Sequence, residues 1–107
     1  MLNPAIWLDA LRTASGARSD YQLAKYLGVT QVAVSGYSTG RRTFGADVAL
    51  KAADFINVPA QAALVASNYW KAQTDTERQV WQAIYNQIGG IQVDEKIQDL
   101  ANHREAA

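Results

Sequence analysis

The side chains best equipped for binding chemistry lie within the segment 19–42, SDYQLAKYLGVTQVAVSGYSTGRR. Gln31 and Ser35 carry neutral hydrogen-bonding groups, and Arg41 and Arg42 follow them with two positive charges. Amide, hydroxyl and guanidinium groups bind through hydrogen bonds and charge. The chain contains no cysteine and one histidine, and its sequence shows no carboxylate cluster, nucleophile–base pair or phosphate-binding loop. The sequence therefore favours a binding protein over an enzyme, with neither a metal site nor a cofactor.

Two short helices joined by a tight turn are predicted for this segment. Ser19 can cap the first helix, and Gln22 lies three residues later, where a capping box places Glu or Gln. Gly28 follows the last apolar residue, where a left-handed residue can end a helix. Thr30 is a suitable cap for a second helix over 30–38. Two helices of this size around a three-residue turn form a helix-turn-helix, whose second helix can enter the major groove of DNA.

The second of these helices is intrinsically weak. Gly36 lowers its stability by about 1 kcal/mol relative to alanine, and the run VTQVAV at 29–34 has some strand character. A single strand would have no partner in this chain, because no other segment alternates convincingly. We therefore expect a helix that depends on packing against its neighbours.

The remaining apolar spacing predicts an all-α chain. A first helix begins at Asn3-Pro4 and ends at Ser15-Gly16, and a fourth runs from about Phe44 to Ile56. A fifth begins at Pro59, and a further amphipathic helix covers 74–88 and ends at Gly89-Gly90. The tail, 91–107, is either a short surface or partner-binding helix or a frayed terminus. The residues of the fourth helix that are available for the core are Val48, Leu50, Ala52, Phe55 and Ile56, and those of the fifth are Leu64, Val65 and Tyr69.

Length and composition suit one domain with a modest core, since the chain has 107 residues of which 49% are hydrophobic. The absence of cysteine excludes disulfides and fits a reducing compartment. No apolar run approaches the roughly 20 residues that span a bilayer, and the N-terminus lacks the features of a signal peptide. We therefore expect a cytoplasmic protein that does not bind membranes.

Basic residues are concentrated in the first part of the chain, although the whole chain has no net charge. Residues 1–42 contain five basic and two acidic residues, whereas residues 43–107 contain five basic and eight acidic residues. Contacts of Lys and Arg with phosphates supply the part of DNA affinity that is independent of sequence. Because one copy offers few such charges, we expect DNA to be bound by a homodimer.

The segment resembles the Cro/C1-type (XRE-like) helix-turn-helix regulators of bacteriophages and bacteria. The resemblance rests on Ala24, Gly28 and Val34, and it extends through Gly40-Arg41-Arg42 to the later segment LKAADFINVPAQAAL. It covers residues 3 to about 67 and implies a five-helix, lambda-repressor-like domain, to which the chain adds a C-terminal amphipathic helix. We accordingly expect a DNA-binding domain over 1–70 and a helical extension over 71–107 that serves oligomerisation or packing.

The resemblance also implies roles for individual residues. Gln31 would make a bidentate contact with adenine, Val32 would touch a thymine methyl group, and Ser35 would reach a base edge or a phosphate. The arginines that follow the second helix would contact the DNA backbone. The alternative is that Thr30 is only a cap, Gln31 a solvated residue and the arginines an ordinary charged loop. The predicted DNA-binding residues are Thr30, Gln31, Val32, Ser35, Thr39, Arg41 and Arg42.

Two positions depart from the family pattern. Asp20 stands where many members have a glutamine that contacts phosphate, and we assign it to helix capping. Gly36 stands where relatives often have a base-reading side chain, so direct reading of each half-site would be sparse. Specificity could then depend partly on the shape of the DNA.

The sequence thus predicts a transcriptional regulator of phage or prophage type, most simply a repressor, that binds operator DNA as a homodimer. The predicted dimer anchors on the helix 74–88 are Trp81, Ile84, Tyr85 and Ile88. The alternative for these residues is that they pack back on the first or fifth helix. The alternative function is a protein-interaction module, an antitoxin or an inhibitor, that grips a protein partner through its C-terminal helices.

Overall fold

The computed structural model describes the backbone of residues 1–106 and the side chains of residues 1–103, and Ala107 lies outside this part. Over the described residues the chain forms seven helices and no strand, which confirms the all-α fold class. The helices are α1 Pro4–Ser15, α2 Asp20–Leu27, α3 Gln31–Thr39, α4 Ala46–Ile56, α5 Ala60–Lys71, α6 Asp75–Gln87 and α7 Gly90–Ala106.

The predicted helix starts are confirmed by their capping hydrogen bonds. Asn3 accepts from the N–H of Ile6 at 3.0 Å, and Ser19 accepts from the N–H of Gln22 at 3.1 Å. Thr30 and Thr74 cap α3 and α6 in the same way. Each side-chain oxygen satisfies a backbone donor that has no partner inside its helix, so a few polar residues define where the helices begin.

Helix α1 lies at the centre of the molecule and packs against α3, α4 and α7. Trp7, Leu8 and Leu11 are completely buried, as the apolar spacing of this helix predicts. Helix α4 packs against α1 and α5, and its buried stripe consists mainly of small residues, Ala49, Ala52 and Ala53 with Ile56. Alanines allow two helix backbones to come close together while still excluding water.

The prediction for the start and the core face of α4 was partly wrong. The helix begins at Ala46, because Phe44 turns into the core from the preceding loop and is completely buried. Leu50 is 38% exposed and Phe55 is 39% exposed, since the alanine stripe takes the buried side of the helix. Leu64 of α5 is also exposed, whereas Val65 is buried as expected.

A chain of aromatic rings joins α3 to α1 through the interior. The Tyr37 ring meets the Phe44 ring edge-to-face at 4.8 Å, and Phe44 meets Trp70 at 5.5 Å. Trp70 in turn meets Trp7 at 5.5 Å with an interplanar angle of 89°. Edge-to-face pairs at these distances add stabilisation beyond the area that they bury.

Over the described residues the tail is a helix, as one of the predicted alternatives has it, but it is a long helix packed on the core, not a short surface helix or a frayed terminus. Helix α7 lies along α1 and buries Val93, Ile97 and Ala101. The Thr13 hydroxyl donates a hydrogen bond to the carbonyl oxygen of Leu100 at 2.9 Å. The buried residues recur at four-residue steps, which place them on one side of a helix. No helix in residues 1–106 is long and apolar enough to cross a membrane.

Candidate nucleic-acid interface

The turn between α2 and α3 is fixed by a left-handed glycine. Gly28 has φ +70°, and its N–H donates to the carbonyl oxygen of Lys25 at 3.2 Å. The next N–H, from Val29, donates to the carbonyl oxygen of Ala24 at 3.0 Å. These two bonds form a Schellman motif, which satisfies the last carbonyl groups of α2. The Lys51 ammonium of α4 donates to the carbonyl oxygen of Leu27 at 3.3 Å and holds the same helix end.

The turn presents one side of α3 to the core and the other to solvent. Ala33, Val34 and Tyr37 are buried. The remaining side chains are an amide, three hydroxyls and the apolar group of Val32, which is 65% exposed. The exposed side chains on this face are those of Gln31, Val32, Ser35, Ser38 and Thr39, and sequence reasoning missed Ser38. The structure therefore brings four of the predicted DNA-binding residues together on a single solvent-facing side of one helix.

Thr30 and Thr39 mark the two ends of that face, and both hydroxyls have partners within the chain. Thr30 accepts from the N–H of Ala33 at 3.1 Å and so caps α3. Thr39 donates to the carbonyl oxygen of Ser35 at 3.1 Å and accepts from Nε of Arg41 at 3.2 Å. Thr39 thus holds the Arg41 side chain against the C-terminal end of α3.

Arg42 folds back on the flank of α3. Its N–H donates to the carbonyl oxygen of Gly36 at 3.1 Å. A Cβ atom added to Gly36 would lie 2.8 Å from Cγ and 2.9 Å from Cδ of Arg42, so the arginine stem occupies the space of the missing side chain. Burial raises the pKa of the Tyr37 phenol, and the positive charge of Arg42 offsets part of this rise. Sequence reasoning missed this contact, although an unfavourable glycine inside a helix was a signal of it.

Asp20 is not the cap of α2, and that assignment was wrong because the Ser19 hydroxyl takes the role. The Asp20 carboxylate instead accepts a hydrogen bond from Nη2 of Arg12 at 2.9 Å. Arg12 also donates to Asp9 at 2.8 Å and to the Ser38 hydroxyl at 3.3 Å. Its side chain is only 16% exposed. Arg12 therefore joins α1, α2 and α3 and counters the negative charge at the start of α2.

The predicted dimer anchors lie in different environments. Tyr85 is completely buried within the chain, and its hydroxyl donates to Asp94 at 2.8 Å. Burial, and then the contact with Asp94, raise the pKa of the Tyr85 phenol far above its ordinary value. Trp81 and Ile84 are half-buried against the core, and Ile88 is exposed. Helix α6 packs on α5 and α7, so only part of the predicted set faces solvent.

The described residues contain no group of three or more His, Cys, Asp or Glu side chains that could hold a metal ion.

Comparison with known proteins agrees with the geometry of α2 and α3. A family model described as helix-turn-helix matches residues 10–62, which contain both helices and the turn between them. No significant match was found among curated proteins or solved structures. Residues 10–62 therefore belong to the Cro/C1-type (XRE-like) helix-turn-helix family of DNA-binding regulators.

Proposed function

We propose that the chain is a sequence-specific transcriptional repressor of phage or prophage type, which inserts α3 into the major groove of double-stranded DNA. The observation that carries this proposal is the solvent-facing side of α3. Gln31, Val32 and Ser35 share that side, next to two arginines. Repression requires only that the bound protein occupies its operator, so a small binding domain without an active site suffices.

Each exposed side chain of α3 has a suitable partner on the edges of the bases. The Gln31 amide offers an adjacent donor and acceptor, which match N7 and N6 of adenine. Val32 offers an apolar surface to the methyl group of thymine, and Ser35 offers a short hydroxyl. Arg41, held by Thr39, supplies a positive charge for a phosphate, which fixes the register of the protein on DNA.

The small number of these contacts favours binding by two copies. Two recognition helices in a two-fold dimer would read half-sites about 34 Å apart. We place the dimer contact on the exposed part of α6 and its junction with α7, which includes Val80, Ile88 and Ile91. Residues 79–93 contain no charged side chain. A two-fold contact sets a patch against its own copy, so an uncharged patch avoids meeting like charges.

Selection of DNA from a random duplex pool tests the function directly. The wild-type chain should enrich a pseudo-palindromic sequence and bind it with an affinity that falls steeply as salt increases. Gln31→Ala should cost about 1–3 kcal/mol and relax the preference at one position of each half-site. Gln61→Ala, which removes an exposed glutamine of α5, is the matched control and should leave binding unchanged.

The same experiment separates the repressor from a protein-interaction module. Weak binding that does not respond to salt, and that survives the combined Gln31→Ala and Arg41→Ala changes, would reject the repressor. That outcome would favour a chain whose partner is another protein. Enrichment of a single, symmetric operator would instead support both sequence-specific binding and the dimer.

A further inference from the structure

Gly36 and Arg42 form a single structural unit on the flank of α3. The three atoms closest to a Cβ built on Gly36 are Cβ, Cγ and Cδ of Arg42, at 3.2, 2.8 and 2.9 Å. The backbone bond from the Arg42 N–H to the carbonyl oxygen of Gly36 fixes the start of that stem. Gly36 is buried, and the stem of Arg42 is what covers it. Any side chain at position 36 would have to displace the arginine.

The position of the stem places Arg42 beside the side chains that face solvent on α3. Val32 and Gly36 are four residues apart, so they are neighbours on the same side of the helix. Val32 is the most exposed of the large apolar side chains among the described residues. The Arg42 stem therefore continues the exposed face of α3 by one turn, although Arg42 itself belongs to the following loop.

The guanidinium of Arg42 is available for a ligand. It makes no hydrogen bond or ion pair with any described residue, in contrast to Arg41, whose Nε donates to Thr39. A guanidinium presents parallel N–H donors in a rigid plane, which match paired acceptors such as O6 and N7 of guanine. Gly36 lowers the stability of α3 by about 1 kcal/mol relative to alanine. A phosphate contact by Arg42 from the loop would not require this glycine, because the arginine stem would not have to lie against α3.

We propose that Arg42 is a specificity-determining residue that reads a guanine from the surface of α3, and that Gly36 is the positioning residue that makes room for its stem. This inference rests on the proposed function, and it replaces the backbone contact that the sequence predicts for Arg42. The operator half-site would then contain a guanine beside the base that Val32 contacts. The guanine would lie in the direction of Gly36, which is one turn of α3 after Val32. The half-site is read by more side chains than α3 alone carries.

Selection from a random duplex pool with Arg42→Lys tests this directly, because lysine keeps the positive charge but loses the planar pair of donors. The preference for guanine at one position of each half-site should fall by about five- to a hundred-fold. The salt dependence of binding should stay as in the wild type. Arg18→Lys, at an exposed arginine that lies before α2, is the matched control and should leave the preference at every position intact.

Gly36→Ala tests the positioning role without touching the guanidinium. Its helix should be at least as stable as that of the wild type by circular dichroism, while the same guanine preference falls and the Gln31 position keeps its preference. If Arg42→Lys keeps the guanine preference, Arg42 does not read a base, even though the repressor proposal stands. If Gly36→Ala keeps the guanine preference while Arg42→Lys loses it, the positioning role of Gly36 is refuted. A wild-type chain that enriches no sequence at all overturns both the repressor and the reading of guanine.

Discussion

Replacement of Ile97 by alanine should destabilise the whole domain, because α7 is part of the core. The Ile97 side chain is completely buried against the helices around α1. The change removes three carbon atoms, for which the lost transfer free energy alone is about 2.4 kcal/mol. The cavity left behind brings the expected loss to about 2–5 kcal/mol. In a domain of this size that loss corresponds to a fall in Tm of roughly 10–20 °C.

Urea unfolding followed by tryptophan fluorescence and by circular dichroism is the suitable assay. Both signals should shift together to lower urea with an unchanged slope, since a single core unfolds in one step. Ile97→Val should cost about 0.5–1.5 kcal/mol, and Leu50→Ala, at a position that is 38% exposed, should cost less than Ile97→Ala. A loss below about 0.5 kcal/mol for Ile97→Ala, which is typical of surface substitutions, would refute the packing of α7 on α1.

Three further changes test the turn, the charge at the start of α2 and the dimer surface. Gly28→Ala should lower Tm more than Gly16→Ala. Both glycines have φ +70°, but only a Cβ at Gly28 would meet another residue, the Lys51 ammonium at 2.7 Å. Equal losses of Tm in thermal unfolding would contradict this reasoning. Asp20→Asn should strengthen DNA binding by about five-fold, or ~1 kcal/mol, at low salt, because it removes a negative charge near the DNA. An affinity titration that shows weaker binding would reject the placement of α2 near the DNA. Ile91→Glu should convert a dimer to a monomer in analytical ultracentrifugation with the helical content retained, and a dimer that persists would exclude this surface.

The sequence was most informative where a single residue type has a single structural use. Asn3, Ser19 and Thr30 each cap the helix that they were expected to cap, and Gly28 adopts the left-handed conformation that its turn requires. These local rules need only neighbouring residues. They define where α1, α2 and α3 begin and where the turn between α2 and α3 lies.

Contacts between distant segments of the chain could not be predicted from these local rules. The buried stripe of α7 consists of Val93, Ile97 and Ala101, which are separated by charged residues and end in a small one. Its helix therefore looked like a solvated tail. Phe44 was expected to begin α4, yet it lies in the preceding loop, where its carbonyl oxygen accepts a hydrogen bond from the Ser67 hydroxyl at 2.8 Å. Burial of this kind is decided by the partner helix.

Several predicted DNA-binding residues lie on one exposed side of α3, but the contacts that arrange the residues around them were not predicted. The site residues of α3 were expected from the resemblance to the family, whereas Arg12 was assigned no contact and Gly36 was taken as a missing contact. In the structure Arg12 neutralises Asp20, and Gly36 accommodates Arg42. Both relations join residues on different elements, so periodicity within one helix carries no trace of them.

The aromatic rings that connect Tyr37 to Trp7 give the protein an optical signal of its own. Trp7 and Trp70 lie 5.5 Å apart and nearly perpendicular, and Trp70 is linked through Phe44 to the ring of α3. If α3 shifts when DNA binds, these ring contacts carry the shift to the surroundings of both indoles, on which their emission and near-ultraviolet ellipticity depend. Titrations with DNA could then be followed in solution without attaching a dye.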